Sequence, residues 1–235
     1  MQKIDVVTVD GPAGAGKSVA TRRLAERLGI EYLNTGAMYR AVALCALREN
    51  VDLTDADALT QIARERRLES RDGRVFLDDE DVSDAVRTPE VAQSVKYPAG
   101  APSVRAILVE KQREIGLSRP IATEGRDQGT VVFPDALCKF YLTASPEERA
   151  RRRFGEHERR GETVDFDELL RQIVERDRQD SEREIGPLKC PDDAVLIDSD
   201  GKTIDEVVAE MERIVLTRDT LAGLNVAEIV VSLED

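Results

Sequence analysis

A glycine-rich stretch near the start of the chain constrains the fold more than any other feature. Residues 11–18 read Gly-Pro-Ala-Gly-Ala-Gly-Lys-Ser and match the pattern G-x-x-x-x-G-K-[ST]. A short β-rich apolar run at residues 4–9 precedes the stretch. Apolar residues at helical spacing follow it as far as Leu28, and Gly29 is a stop signal. The chain is therefore predicted to open with a strand, a phosphate-binding loop and a helix.

Each residue type in this stretch suits a polyphosphate. Glycines let the backbone curl so that successive N–H groups point at one phosphate, and the following helix adds its positive end. Lys17 supplies a point charge for the β- and γ-phosphates, and the Ser18 hydroxyl is a ligand for Mg²⁺. The predicted triphosphate-binding residues are Gly11, Pro12, Ala13, Gly14, Ala15, Gly16, Lys17, Ser18 and Val19. Switches, motors and kinases all use such a loop, so it does not define the reaction.

Strand and helix patterns alternate along most of the chain, which predicts a parallel sheet covered by helices on both faces. The predicted strands are residues 4–9, 30–33, 120–123, 137–142 and 194–197, and the predicted helices are residues 16–28, 36–48, 103–117, 146–160, 166–183 and 203–216. Ligands of such sheets bind at the carboxyl ends of the strands.

Residues 52–101 have a different texture and are predicted to form an insert. Residues 68–71 and 75–77, separated by the turn Asp72-Gly73, predict a β-hairpin, and an acidic run follows at residues 78–81. Residues 82–95 suggest two short helices broken near Pro89, and Pro98, Gly100 and Pro102 suggest a loop.

Composition removes several function classes. The net charge of −13 argues against a broad nucleic-acid surface, and the single histidine, His157, excludes a histidine-rich metal site. Three scattered cysteines form no C-x-x-C pair. With no long apolar run, we expect a cytoplasmic protein with no membrane partner. The chain holds 27 arginines and 7 lysines; most of the arginines fit a solvated surface, and a few could grip phosphate.

Two further clusters follow predicted strands. Residues 34–40 contain Thr35, Tyr39 and Arg40, and either face the phosphate loop or form an ordinary helix start with Thr35 as its N-cap. Residues 124–130 place Arg126 and Asp127 between two glycines. We interpret the second cluster as a tight loop whose charged side chains face a ligand, the alternative being a surface turn.

Two arginine-rich helices complete the candidate set. Residues 149–160 hold six arginines, with glutamates mixed in at 147, 148, 156 and 158, which favours either a helix laced with ion pairs or a mobile lid. Arg176, Asp180 and Arg183 are spaced to share one face of the next helix. A salt-bridged surface is the simpler explanation of that face, and binding of a phosphate and a ribose is the other.

Taken together, these clusters resemble the bacterial cytidylate kinases. The resemblance rests on residues 10–18, 35–40, 175–183 and above all the long stretch 125–136, and it extends over residues 3–217. It implies a P-loop kinase fold, an α/β three-layer sandwich with a five-stranded parallel sheet. The implied activity is transfer of the γ-phosphoryl group of ATP to CMP or dCMP, with Mg²⁺.

The resemblance also implies domains and residue roles. The core would be residues 1–51 and 102–217 with a lid at about 146–165, the monophosphate-binding insert 52–101, and an unassigned tail 218–235. The implied catalytic residues are Lys17, Arg126, Asp127 and Arg183, with Ser18 on the metal. Arg40, Arg126 and Arg183 would bind the CMP phosphate, Arg105 and Asp127 the cytosine, and Arg176 and Asp180 the ribose, with Thr35 and Tyr39 in the same site. We expect a monomer.

The chain departs from the family pattern at three places. Lys96 stands where the family usually has a serine that helps to recognise cytosine, which puts the usual contact in doubt. Thr35 replaces a serine but keeps the hydroxyl, and Val19 follows Ser18 where small or polar residues are common. Other readings are a kinase for UMP, AMP or a small metabolite, a nucleotide switch, and a non-catalytic ATP-binding module. The absence of an Asn-Lys-x-Asp motif counts against the switch.

Overall fold

The computed structural model describes residues 4–71 and 73–222, in which a five-stranded parallel sheet forms the centre. Its strands are β1 (Ile4–Asp10), β2 (Glu31–Asn34), β6 (Ile121–Gly125), β7 (Ala136–Thr143) and β8 (Val195–Asp198), in the order β2-β6-β1-β7-β8. All neighbouring pairs are parallel. This confirms the predicted α/β class and the five parallel strands.

Helices cover both faces of the sheet. They are α1 (Lys17–Leu28), α2 (Thr35–Arg48), α3 (Ala56–Glu65), α4 (Pro89–Ser94), α5 (Lys96–Gly100), α6 (Pro102–Ser118), α7 (Pro146–Arg159), α8 (Phe166–Glu182) and α9 (Ile204–Ala222). Successive strand residues point to opposite faces: Val6 packs with α2 and α6, whereas Val7 packs with α1 and α9. Two apolar cores, one on each face, produce the three layers.

The insert region holds a second, antiparallel sheet. Its strands are β3 (Leu68–Arg71), β4 (Arg74–Leu77) and β5 (Glu80–Asp81). The hairpin prediction is confirmed by the β3–β4 register, although Asp72 of its turn lies outside the described residues. Two residues of the predicted acidic run, Glu80 and Asp81, form β5 at the edge of this sheet.

Two predictions for the insert are incomplete or wrong. The stretch around Pro98 and Gly100 is the helix α5, not a loop; Pro98 is buried, and Tyr97 and Ala99 on either side of it pack against the apolar core. Helix α3 was not predicted, yet Asp55 caps it by accepting hydrogen bonds from two backbone N–H groups, and its buried side includes Leu59 and Ile62. A 3₁₀ turn, Ala85–Arg87, and α4 match the two short helices expected near Pro89.

The last helix is longer than predicted. Helix α9 runs to Ala222, past the predicted end at residue 216 and into the tail assigned from 218. The rest of that tail, including the apolar residues 229–231, lies outside the described residues. Along the described ranges, no helix has the length and apolar character to cross a membrane.

Candidate functional site

The carboxyl ends of the five strands open into a cleft of about 670 Å³. Its walls combine the predicted phosphate loop with side chains from β6, α2, α7 and α8. The lining includes residues 13–19, Asn34, Gly36, Arg40, Glu124, Arg126, Arg152, Arg153, Glu156, Arg159, Arg176, Ser199 and Lys202. Five clusters that are far apart in sequence therefore meet at one cleft, as the strand-end rule predicts.

The phosphate loop has the backbone that its glycines predict. Gly11 has a φ of +146° and lies against β7, where a Cβ would overlap the backbone oxygen of Leu142. Gly16 is in the left-handed region at the start of α1, and no side chain caps that helix end. The free N–H groups and the positive helix end are thus left for an anion.

Lys17 lies buried at the base of this loop, and its Nζ donates a hydrogen bond to the backbone oxygen of Pro12 at 2.7 Å. Burial and the cation of Arg126 together lower the pKa of Lys17 to about 7, even though the carboxylates of Glu124, Asp10 and Asp180 oppose the shift. A bound polyphosphate would restore the charged form.

Glu124 is a site residue for which the sequence patterns predicted no separate role. Its Oε1 accepts hydrogen bonds from Ser18 Oγ at 2.7 Å and from the Tyr32 hydroxyl at 3.3 Å. Its backbone oxygen accepts one from Thr35 Oγ1 at 2.8 Å. The available signal was its place at the end of the strand next to β1, where an acidic residue completes the magnesium site of P-loop enzymes.

The hydroxyl of Ser18 and the carboxylate of Glu124 are hard oxygen donors that suit Mg²⁺. Mg²⁺ keeps several waters and phosphate ligands, so few protein groups are needed. The described ranges contain no group of three or more His, Cys, Asp or Glu that could hold a metal ion.

The N-cap alternative for Thr35 is wrong. Asn34 caps α2, with its side chain accepting from the backbone N–H of Ala37 at 2.9 Å. Thr35 is the first residue of α2, and its hydroxyl is committed to β6. One turn further along, Arg40 lines the cleft half-buried, and its buried Nε has no hydrogen-bond partner among the described residues. Burial lowers the pKa of Arg40, so this cation is poised for an anion.

Two arginines flank one carboxylate opposite the phosphate loop. Arg126 Nε donates to Asp180 Oδ2 at 2.7 Å, and Arg183 Nη1 lies 4.0 Å from Asp180 Oδ1. Burial tends to raise the pKa of Asp180, but the neighbouring arginines, Arg126 first, hold it below its usual value. Arg176, one turn earlier on α8, also lines the cleft. Arg176 and Asp180 share one face of α8 as predicted, whereas Arg183 lies one residue past the end of the helix, in extended backbone, and approaches Asp180 from there.

Arg105 and Asp127 form a buried ion pair beside this group. The Arg105 guanidinium lies over the Tyr39 ring, with Cζ 5.6 Å from the ring centroid. Gly186 closes over the pair in a left-handed conformation (φ +59°), and a Cβ there would overlap both Arg105 and Asp127. A guanidinium and a carboxylate side by side present donors and an acceptor in a largely dry place, which suits a polar heterocycle edge.

The tight loop predicted at residues 124–130 is wrong in form. Gly125 ends β6, and a short π-helix, Gln128–Val132, follows. Asp10 at the end of β1 accepts hydrogen bonds from the backbone N–H groups of Gln128 and Gly129, which fixes the start of this turn. The charged pair of the cluster divides: Arg126 lines the cleft, whereas Asp127 is buried in its ion pair with Arg105, and neither partner of that ion pair is among the residues lining the cleft.

Helices α7 and α8 pack against each other over the cleft, and the α7 arginines divide into three groups. Arg152, Arg153 and Arg159 line the cleft. Arg151 pairs with Glu148, as the ion-pair alternative predicts. Arg149 is buried instead beneath the phosphate loop, where it donates to the Ala13 backbone oxygen at 3.1 Å and pairs with Asp177 at 2.6 Å. Arg149 is part of the stretch predicted to form the lid, but in the structure it binds the phosphate loop.

Two residues of interest lie away from these contacts. Lys96 is exposed at the start of α5, with its Nζ 5.0 Å from the Tyr97 ring centroid. Because its side chain is exposed to solvent, Lys96 does not take the place of the serine that the family uses to recognise cytosine. His157 pairs with Glu162 at the far end of α7, outside the lining of the cleft, which agrees with a chemistry that needs no imidazole.

Known proteins resemble the chain over most of its length. A family model described as cytidylate kinase matches residues 7–217. The cytidylate kinase of Caldanaerobacter subterraneus subsp. tengcongensis is 48% identical over 202 residues, covering 86% of this chain and 90% of that protein. The cytidylate kinase of Desulforamulus reducens is 49% identical over 205 residues, covering 86% and 92%.

Solved structures share the fold at low sequence identity. A gluconokinase from Sinorhizobium meliloti aligns with a TM-score of 0.50 at 17% identity, covering 94% of this chain and 98% of that chain. An uncharacterized protein from Eubacterium ventriosum aligns with a TM-score of 0.51 at 13% identity, covering 92% and 99%.

Proposed function

The chain belongs to the cytidylate kinase family, and we propose that it transfers the γ-phosphoryl group of ATP to CMP or dCMP in the cleft described above. One observation carries the proposal. The phosphate loop with Lys17 faces, across a single cleft, a set of arginines arranged for a second anion. Two polyanions must meet for this reaction, and an otherwise acidic protein concentrates its cations where they would meet.

ATP is assigned to the loop side. Residues 11–19 would hold its phosphates through backbone N–H groups, with Lys17 on the β- and γ-phosphates. Ser18 and Glu124 would hold Mg²⁺, which would neutralise phosphate charge when bound. The adenine is assigned to the part of the cleft lined by Arg152, Ser199 and Lys202.

CMP is assigned to the opposite side. Arg40, Arg126 and Arg183 would bind its phosphate, and Arg176 and Asp180 its ribose. The cytosine amino group would donate to Asp127, while its ring nitrogen and carbonyl oxygen would accept from Arg105. Tyr39 supports Arg105 through its ring face, and Thr35 ties the start of α2 to Glu124. When CMP binds, the Asp180 carboxylate would contact both Arg126 and the ribose.

The chemistry follows from positioning. A phosphate oxygen of CMP, already ionised near neutral pH, attacks the γ-phosphorus of ATP, and the bond to the bridging oxygen of ADP breaks. No proton has to leave the nucleophile, so no general base is required. Lys17, Arg126 and Arg183 would offset the repulsion between the two anions and stabilise charge in a loose transition state. Closure of α7 and α8 would exclude water, which limits loss of ATP to hydrolysis.

The domain division and assembly belong to the same proposal. We assign the core to residues 1–51 and 102–217, the insert to 52–101, and the lid to about 146–165. All proposed contacts come from a single chain, which supports a monomer. The nucleotide substrates and three free cysteines support a cytoplasmic location.

An acceptor panel tests the function. The purified protein is incubated with ATP and Mg²⁺ and with CMP, dCMP, UMP, AMP or gluconate, and ADP release is followed by a coupled assay. We expect CMP and dCMP to support the highest kcat/KM. A higher value for a purine monophosphate or a sugar would refute the assignment of the acceptor site, and ATP binding without any ADP release would favour a non-catalytic module.

A further inference from the structure

Asp10 is a buried carboxylate between the two halves of the cleft, and the mechanism above gives it no role. It ends β1, has no exposed surface, and is followed directly by Gly11 of the phosphate loop. Its Oδ1 accepts from the backbone N–H of Gln128 at 2.9 Å, and its Oδ2 accepts from that of Gly129 at 2.7 Å. Both oxygens are therefore committed to the π-helix.

The π-helix is anchored at both of its ends. Asp10 holds its first two residues, which directly follow Arg126 and Asp127 in the chain. At the other end, Arg113 from α6 donates to the backbone oxygens of Val132 at 2.9 Å and Val131 at 2.7 Å. The turn that carries the proposed CMP contacts is thus fixed by two side chains that touch neither nucleotide site.

We propose that Asp10 is a positioning residue that sets the distance between the ATP phosphates and the CMP phosphate. The inference rests on the proposed function. Asp10 is one peptide bond from the phosphate loop, and two hydrogen bonds join it to the residues after Arg126. Phosphoryl transfer depends on the separation of nucleophile and phosphorus, and a displacement near 1 Å can cost about a hundredfold in rate.

The geometry requires an ionised carboxylate. Two parallel N–H donors need two acceptors, which a carboxylate supplies and an amide does not. Burial raises the pKa of Asp10 to about 6, with Asp127 acting in the same direction and the two backbone bonds and Lys17 opposing it. The chain thus keeps a carboxylate in a place where a neutral side chain would be easier to bury, as expected for a group retained for its two bonds.

Asp10→Asn tests the inference, because it keeps the shape while its NH₂ group faces one of the two N–H donors. We expect the KM for CMP to rise by about tenfold and kcat to fall, while the KM for ATP changes by less than about twofold. Thr8→Val is the matched control. Thr8 lies buried on the same strand beside Gly129, and among the described residues its Oγ1 has no hydrogen-bond partner. We expect this control to keep both KM values.

Arg113→Met provides a second route that does not disturb the buried core, because Arg113 is exposed. It releases the other end of the π-helix, so we expect the KM for CMP to rise here as well, with partial recovery in Arg113→Lys. Unchanged kcat together with unchanged KM for CMP in both Asp10→Asn and Arg113→Met, or equal rises in both KM values, would overturn the inference. A wild-type protein that does not phosphorylate CMP would instead overturn the proposed function on which it rests.

Discussion

Replacing Lys17 with methionine should make the protein more stable and almost inactive. Methionine fills a similar volume without a charge. Lowering the pKa of a lysine from 10.5 to about 7 corresponds to a penalty of about 4 kcal/mol at pH 7 for burying the ammonium group. The variant also loses the 2.7 Å hydrogen bond from Nζ to the backbone oxygen of Pro12, and this loss reduces the gain in stability by about 1–2 kcal/mol. A net gain of about 2 kcal/mol in the free energy of unfolding remains.

The pH dependence of this gain has a defined sign. The folded protein binds fewer protons at Lys17 than the unfolded chain between pH 7 and 10.5. The penalty is therefore fully present below pH 7 and disappears as the pH rises towards 10.5. Lys17→Met should thus differ most from wild type at neutral pH and converge with it in alkaline solution.

Urea unfolding followed by circular dichroism at pH 7 and pH 9.5, without nucleotide, measures the effect. Turnover of the same variant should fall by at least about a hundredfold, the scale of losing a preorganised charge. A variant less stable than wild type at pH 7 would refute the view that Lys17 is held at a cost to the fold. Near-normal turnover would remove Lys17 from the mechanism.

Three further predictions concern the acceptor side and the thiols. Asp127→Ala should raise the Kd for CMP by at least about tenfold and leave that for ATP nearly unchanged, and equal losses measured by calorimetry would contradict its role in reading the base. Gly186→Ala, which drives a methyl group into the buried pair beneath it, should raise the KM for CMP with little change in that for ATP; an unaffected KM would place that segment outside the site. Burial raises the pKa of Cys45 and of Cys138 to about 11, so only Cys190 should react with a thiol reagent at pH 8 before unfolding, and three fast thiols in the native protein would refute the packing.

The central sheet could be predicted from sequence because its signals are local. Short apolar runs predicted the strands, and residues 11–18 predicted both the first loop and its role in binding phosphate. Boundaries were less accurate where a helix continued beyond its clearest signal, as α9 does to Ala222. Helix α3 was missed although Asp55 offers an N-cap, because its short apolar stripe lies within a polar stretch.

The site was predicted as separate clusters whose contacts could not be foreseen. The spacing of Arg176 and Asp180 predicted one helix face, but the bond from Arg126 to Asp180 joins residues 54 positions apart. Glu124 gained its role only once β6 was placed next to β1. Arg149 looked like its neighbours on α7, and only the packing shows that it holds the loop.

The same limit applies to the π-helix. Residues 124–130 carry two glycines and a charged pair, a pattern typical of loops. The turn forms because a carboxylate from β1 and an arginine from α6 take up its free backbone groups. Such long-range hydrogen bonds leave no periodic pattern in the sequence.

The most direct test of the account follows the transferred group itself. The protein is mixed with CMP, Mg²⁺ and ATP labelled with ³²P at the γ-position, and the products are separated by chromatography. We predict that the label appears in the β-phosphate of CDP in step with ADP, and that Lys17→Met slows its appearance by at least about a hundredfold. Label found mainly in inorganic phosphate or on the protein, with CMP unchanged, would contradict the central claim.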